Sequence, residues 1–277
     1  MSLPPDLQLS QSSLQDYLDC PRRFELRYLL KVAWPALESE PVLEQERHMR
    51  QGQMFHQMVQ QHLVGLPLEA LQPPEDEADL SRWWLNYCAA DPTAGLPARR
   101  LPEFMLSATL AGVRLVAKYD LLALEPGGRA VIMDWKTNRR RTPTAALQQR
   151  IQTRLYRWLL VTAGAQFNGG RPLQPEQVEM IYWFTDFPGD PAALTYDRSR
   201  FKEDETFLTG LITAIQATLP GSFILTPQEQ SCQLCRYRSL CGRDSQAGSW
   251  ESQDDDDTRP AFDGSTLDFD QIGEIAF

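Results

Sequence analysis

The chain has 277 residues, 42% of them hydrophobic, which is enough to bury a sizeable core. No apolar run approaches the ~20 residues of a membrane-spanning helix, and the first ten residues contain no basic and apolar secretion signal. This composition excludes a membrane-embedded protein, and we expect a soluble protein of the cytoplasm.

The formal net charge of −10 does not exclude nucleic acid, because the acids are concentrated at one end. Residues 251–277 contain nine acids and one base, which leaves 26 bases against 28 acids in the rest of the chain. Clustered arginines in that nearly neutral part can form a phosphate-binding surface, although a solvated helix face is the alternative for each cluster. The arginines cluster at positions 22, 23 and 27, at 139–141, at 150, 154 and 157, and at 236, 238 and 243.

The composition also predicts where the folded part ends. After about residue 245 the sequence becomes rich in Asp, Ser, Gly and Gln, which is typical of a disordered segment. We therefore expect one folded domain over 1–245 and an acidic tail over 246–277.

Helical periodicity dominates the first part of the chain. Pro21 is suited to the first turn of a second helix, so Cys20 falls at the junction of two helices. A third helix is predicted over 41–63, where Gly52 and His56 share a face because they are four residues apart.

Strands are predicted in the middle of the chain, after a polar linker and a short helix. Alternating apolar residues indicate three of them, and an aromatic and β-branched run indicates a fourth near residues 177–185. Thr144 is expected to cap a helix that ends at Gly164, and a last amphipathic helix is predicted over 200–219. This order of elements predicts an α/β fold with a mixed sheet at its centre and helices on its faces. The first three strands are expected near residues 103–110, 113–124 and 130–136.

Three charged residues, Asp120, Asp134 and Lys136, lie within these strands. Positions i and i+2 of a strand share a face, so Asp134 and Lys136 point the same way. The turn at residues 125–128 can fold two strands into a hairpin that brings Asp120 beside them. Converging carboxylates suit a hard cation such as magnesium, and the lysine could orient a water or stabilise phosphate charge. A solvated strand end with one ion pair is the alternative.

Four of the five cysteines have the spacing of a metal or cluster site. Cys232, Cys235 and Cys241 form a C-x2-C-x5-C pattern, and Cys20 lies near the start of the chain. In a protein of the cytoplasm this spacing favours a metal or cluster over disulfides. Four thiolates suit either a 4Fe-4S cluster or zinc, and ligand type alone does not separate the two. Cys88 stands apart, and we expect it to be a small buried hydrophobe.

Taken in order, these motifs resemble the RecB-like branch of the PD-(D/E)XK nuclease superfamily. The cysteine arrangement is similar to that of the iron-sulfur nucleases of the AddB and CRISPR-adaptation exonuclease type. The resemblance spans residues 10–243 and implies a restriction-endonuclease-like core, with a helical N-terminal part and a C-terminal cysteine-cluster segment. The motifs that carry it are Gly52-x3-His56, Asp120, Asp134-x-Lys136, Gln152-x3-Tyr156, Cys20-Pro21 and the three later cysteines.

This resemblance implies a role for each matched residue. Asp120 and Asp134 would bind magnesium or manganese, with His56 as a further ligand. Glu103 matches a glutamate that often precedes the second metal ligand in such enzymes. The four cysteines would hold a 4Fe-4S cluster, with zinc as the alternative. The implied catalytic residues are Lys136, Asp120, Asp134, Gln152 and Tyr156.

The implied activity is metal-dependent hydrolysis of DNA, by an exonuclease that acts on ends or single strands in repair, recombination or CRISPR adaptation. The last stretch, LDFDQIGEIAF, is similar to the acidic tip of bacterial single-stranded-DNA-binding proteins, which implies docking to a DNA-repair protein or competition with DNA. A solubilising tail is the alternative for that stretch. Two other functions stay open: a nucleic-acid-binding or assembly module with little cleavage, and a zinc-stabilised structural protein.

Overall fold

A mixed sheet runs through the part of the protein that the computed structural model describes, which is residues 4, 7–33, 40–233 and 235–243, without the side chains of 40–45. Within these residues six strands form the sheet and helices cover it, so the predicted α/β fold is confirmed. The tail predicted over 246–277 lies outside the described residues. The strands are β1 (Gln8–Leu9), β2 (Arg99–Leu110), β3 (Val113–Leu124), β4 (Ala130–Lys136), β5 (Val178–Phe184) and β6 (Ala192–Thr195). The helices are α1 (Gln11–Asp19), α2 (Pro21–Phe24), α3 (Glu40–Leu63), α4 (Ala78–Ala90), α5 (Thr144–Gln149), α6 (Ile151–Ala163) and α7 (Arg198–Ala217).

The long strand β3 organises the sheet. Antiparallel β2 pairs along its whole length on one edge. The other edge is shared by β1, which pairs in parallel at Arg114 and Leu115, and by β4, which pairs antiparallel over residues 121–124. Beyond β4 the sheet continues with parallel β5 and antiparallel β6. Strands β1 and β6 were not predicted, because two and four residues are too short to show a periodic pattern.

Local sequence signals explain how the N-terminal helices begin. Ser10 and Ser13 form a reciprocal capping box at the start of α1. Pro21 occupies the first turn of α2, as predicted, where its missing N–H leaves no hydrogen bond unmade. The chain then passes directly into a π-helical turn, Glu25–Leu29.

The helix predicted to run on to Gly164 is broken in two. Arg150 adopts an extended conformation (φ −63°, ψ 142°) between α5 and α6. The predicted cap is wrong, because Thr144 is the first residue of α5 and no side chain caps that helix. At the break the Thr153 hydroxyl donates to the Leu147 carbonyl at 2.6 Å. Gln152 therefore lies in the first turn of α6, where it faces the sheet.

Two apolar layers bury the faces of the sheet. One contains side chains of α1, α6 and α7, and the other contains side chains of α3 and α4. Every tryptophan in the described residues is buried, so none of them offers a surface on which an unpaired base could stack. Among the helices that the structure describes, none has both the length and the apolar character to cross a bilayer.

Candidate active site

The charged residues meet where β3 and β4 separate. The antiparallel pairing of these strands runs from Leu124 opposite Ala130 to Leu121 opposite Met133. The next step of this register sets Asp120 across from Asp134, so the hairpin folds as the turn sequence predicts. At this position the Trp135 amide has a side-chain acceptor and not a backbone one. It donates a hydrogen bond to Asp120 Oδ2 at 2.9 Å. Both aspartates are buried at this fork.

A group of potential metal ligands lies on one side of the fork. His56 of α3, Glu103 of β2 and Asp120 of β3 each offer one ligand atom, and these atoms lie within 4.8 Å of one another. His56 Nδ1 is 3.4 Å from Asp120 Oδ2. Carboxylate oxygens are the donors that magnesium and manganese prefer, and imidazole is the commonest nitrogen ligand for metals in proteins. The donor set therefore fits a divalent cation.

A second group, on β4 and α6, holds a buried lysine. Lys136 is fully buried, and its Nζ lies 3.0 Å from Asp134 Oδ2. Lys136 Nζ donates to Gln152 Oε1 at 3.0 Å, and Gln152 Nε2 donates to Asp134 Oδ1 at 2.7 Å. These three side chains form a closed ring of charge-assisted hydrogen bonds, which are about twice as strong as neutral ones. Gln152 thus fixes the lysine and the aspartate relative to each other.

Beside the metal-ligand group, β2 and β3 each interrupt the regular alternation of side chains between the two faces of the sheet. Tyr119 and Leu122 pack in the same apolar layer although a regular strand would place them on opposite faces, and Leu101 and Phe104 behave alike on β2. The change is centred on Glu103, whose φ of +54° lies in the left-handed region. For a residue with a Cβ this conformation costs about 1–2 kcal/mol. Such strain is typical of functional sites, where the surrounding structure holds it in place.

A close approach of α3 to the end of β4 positions His56. A Cβ added at Gly52 would lie 3.1 Å from Thr137 Oγ1, so only glycine allows this spacing without displacing its neighbour. His56 follows one helical turn later on the same face. Gly52 therefore sets how closely His56 approaches the fork.

Comparison with known proteins places this geometry in a family. The profile of the PD-(D/E)XK nuclease superfamily matches residues 8–242. The chain belongs to this superfamily. In sequence, Asp120, Asp134 and Lys136 match the pattern D and D-x-K of the name, whereas Tyr119 stands where the name has proline.

A solved structure of low sequence identity shares this fold. A candidate exonuclease from Eubacterium rectale is 11% identical with a TM-score of 0.51, over 83% of this chain and 87% of that one. The protein SSO0001 is 12% identical over 85% of this chain and 86% of its own, but its TM-score of 0.40 does not establish a shared fold. No curated protein matches the sequence.

Tyr156 forms hydrogen bonds to β3, the strand that carries Asp120. Its hydroxyl donates to the Lys118 carbonyl at 3.0 Å, and its own carbonyl accepts from the Tyr119 hydroxyl at 2.9 Å. Tyr156 is buried, and burial raises the pKa of Tyr119 well above its usual value. These bonds hold β3 next to Asp120, so the structure gives Tyr156 a positioning contact.

The four cysteines of the predicted cluster converge at one end of the nuclease. Burial raises the pKa of the Cys235 thiol, and the neighbouring Cys232 and Cys20 raise it further. Burial raises the pKa of Cys241 too, again with Cys20 and Cys232 among its neighbours. These mutual effects on the pKa values place the four thiols close to one another. Cys88, in α4, packs against the apolar layer of α3 and α4 but is only partly buried, so the expected full burial is wrong.

Most of the clustered arginines form ion pairs with aspartates or glutamates of this chain. Arg157 is fully buried against Asp204 at 3.4 Å, and burial lowers its pKa. Arg154 also pairs with Asp204, at 3.5 Å. The prediction that this helix presents arginines to phosphates is therefore wrong for these two, because their partner on α7 neutralises them. Arg140, in the loop after Lys136, is exposed to solvent.

Proposed function

We propose that this nuclease is a divalent-metal-dependent deoxyribonuclease, and that it acts as an exonuclease on DNA ends or single strands. The observation that carries the proposal is the fork between β3 and β4, where a histidine–carboxylate group adjoins a buried lysine. The fold likeness to a candidate exonuclease from Eubacterium rectale supports the exonuclease role. Repair, recombination or CRISPR adaptation are the processes that need such an activity.

His56, Glu103 and Asp120 would hold the metal, with Asp134 as the further ligand inferred from the motif. A bound divalent ion polarises a phosphoryl oxygen and lowers the pKa of a coordinated water. Both oxygens of Asp134 already contact Gln152 or Lys136. A carboxylate offers about four lone-pair sites, so these contacts leave room for a metal.

Lys136 would supply a positive charge that is already in place before the phosphate arrives. Its ammonium is fixed by Asp134 and Gln152 and excluded from water, so little reorganisation accompanies the reaction. Preorganised charges of this kind stabilise developing negative charge far better than solvated ones. Arg140, exposed in the following loop, would contact the DNA backbone, and that contact would weaken as salt rises.

Cleavage of end-labelled DNA tests the proposal. Wild-type protein should degrade linear single strands with magnesium or manganese but leave circular single strands intact, and Asp134→Asn should be inactive. Asp204→Asn is the matched control, because Asp204 is also buried but pairs with Arg154 and Arg157 of α6 and not with the charged groups of the fork. Absence of cleavage of any DNA with either metal would refute the nuclease activity. DNA binding without cleavage would favour the assembly module instead.

The four cysteines would hold a 4Fe-4S cluster. Cys20 and Cys232 both contribute to the raised pKa of Cys235 and of Cys241, so the four thiols lie near one another. Four thiolates suit a 4Fe-4S cluster or zinc, and the resemblance to iron-sulfur nucleases favours the cluster, which would tie the N-terminal helices to the segment around Cys232. Free thiols of this kind suit the reducing cytoplasm. Anaerobically purified protein should be brown, and a colourless protein with stoichiometric zinc would refute the cluster.

For the acidic C-terminal stretch, the proposed role in docking rests on the sequence alone. Residues 268–277 combine acids with a terminal Ile275-Ala276-Phe277, which suits docking to a basic and apolar groove on a DNA-repair protein. Deletion of 246–277 should abolish capture of such a partner. Faster DNA cleavage by the deletion variant would instead indicate that the tail competes with DNA.

A further inference from the structure

A buried tyrosine outside the nuclease motifs lies against the lysine group. Tyr182 of β5 pairs in parallel register with Asp134, which puts both side chains on the same face of the sheet. Its side chain is completely buried. No motif recognised in the sequence includes this residue.

Tyr182 touches the lysine group in two ways. The face of its ring lies 5.3 Å from Lys136 Nζ, within the range of a cation–π interaction. Its hydroxyl lies 3.2 Å from Gln152 Oε1, the same oxygen that accepts from Lys136. The hydroxyl is also 2.7 Å from Thr153 Oγ1. One side chain therefore contacts both the ammonium and the amide that holds it.

The orientation of the Gln152 amide matters for the site. With Oε1 toward Lys136 and Nε2 toward Asp134, both bonds join opposite partial charges. Rotating the amide by half a turn would set an NH2 group against the ammonium and an oxygen against the carboxylate. When the Tyr182 hydroxyl donates its proton to the amide, it stabilises only the first orientation, because that proton needs an oxygen to accept it.

The Thr153 and Tyr182 hydroxyls carry one proton each but make three close contacts. These join Thr153 to Leu147, Thr153 to Tyr182 and Tyr182 to Gln152. In one arrangement Thr153 donates to the Leu147 carbonyl and Tyr182 donates to Thr153. In the other, Thr153 donates to Tyr182, and Tyr182 donates to Gln152 Oε1. The two arrangements differ in whether the oxygen that holds Lys136 receives a second proton donor. Thr153 thus controls how strongly Tyr182 binds the amide.

We propose that Tyr182, oriented by Thr153, is a positioning residue that holds Lys136 and the Gln152 amide in the geometry used for catalysis. This inference rests on the proposed nuclease function. Tyr182 acts through Gln152 and Lys136 and does not itself touch the substrate.

Removing one hydroxyl tests the inference. Tyr182→Phe keeps the ring and should lower the single-turnover cleavage rate about tenfold, the rate equivalent of one hydrogen bond of ordinary strength. DNA affinity measured with calcium should stay within about twofold of wild type, since both charged groups remain.

Tyr196→Phe is the matched control for stability. Tyr196 is also buried, and its hydroxyl donates to Asp204 Oδ2 at 3.0 Å, away from the fork. This variant should lower the thermal midpoint while the cleavage rate stays unchanged. A wild-type rate for Tyr182→Phe, or an equal loss of rate for Tyr196→Phe, would overturn the positioning role.

A second readout does not depend on cleavage. The side-chain amide protons of Gln152, assigned by their loss in Gln152→Met, should exchange slowly with water in the wild-type NMR spectrum and faster in Tyr182→Phe. Unchanged exchange would overturn the inference even if the enzyme is active. If the wild-type protein cuts no DNA, the proposed function fails, while the amide spectrum still decides whether Tyr182 holds Gln152.

Discussion

Replacing Lys136 with methionine should destabilise the metal-free protein far more than the loss of an ordinary surface charge. The Lys136 and Asp134 side chains are 0% and 1% exposed, and their charged atoms lie 3.0 Å apart. At an effective dielectric constant of about 20, two unit charges at this distance attract by about 5 kcal/mol. Methionine has a similar volume but no charge, so the buried Asp134 carboxylate loses the cation that lies against it.

The net cost should be smaller than the full attraction, because the variant no longer has to desolvate an ammonium. Breaking a buried ion pair from one side typically lowers the free energy of unfolding by about 3–5 kcal/mol. Asp134→Asn should cost a similar amount for the opposite charge. The double variant should cost less than the two single variants together, because it leaves no buried charge of this pair behind.

Urea unfolding in the presence of EDTA measures these free energies. Arg129→Met is the matched control, because Arg129 forms an exposed ion pair with Glu179 and should change stability by less than about 1 kcal/mol. Lys136→Met should also reduce DNA cleavage by at least about a hundredfold. The reasoning is refuted if both single variants at the fork are as stable as the Arg129 control, or if their effects simply add.

Three further predictions follow from other parts of the structure. Gly52→Ala should lower manganese affinity and DNA cleavage about tenfold with little change in thermal midpoint, because its Cβ would push against Thr137 Oγ1. An unchanged manganese affinity in titration calorimetry would contradict this. Arg140→Gln should reduce the slope of DNA affinity against salt by about one, whereas Arg157→Met should leave that slope unchanged and lower stability by about 3–5 kcal/mol; the reverse pattern would place Arg157 at the DNA. Cys232→Ser should abolish the brown colour and bound iron, and retention of both would exclude Cys232 as a ligand.

The hairpin that carries Asp120 and Asp134 could be predicted from sequence because its determinants are local. A turn with Pro126, Gly127 and Gly128 joins two apolar strands, and the turn fixes which residues oppose each other. Gly127 indeed adopts φ +74°. The position of Asp120 across from Asp134 then follows from counting residues along the two strands.

Other features depend on contacts between distant segments and leave no local signal. Arg157 occupies a position on α6 that reads as a polar edge, yet Asp204, 47 residues later, makes it a buried ion pair. The left-handed conformation of Glu103 arises in a strand sequence without glycine. The break at Arg150 has neither glycine nor proline beside it. In each case the tertiary environment overrides the local propensity.

The N-terminal helical region contacts the last segment of the described chain. The Arg22 amide donates to the Ile224 carbonyl at 3.0 Å, and the Tyr237 hydroxyl donates to the Val32 carbonyl at 3.1 Å. Chains whose ends lie together tolerate circular permutation when the new opening falls in an exposed loop. If residue 243 were joined to the N-terminus and the chain reopened near Gly65, the fork would be unchanged. Cys20, now more than two hundred residues before the other three cysteines, would then lie in one continuous stretch with them, as in a local zinc or ferredoxin-type motif.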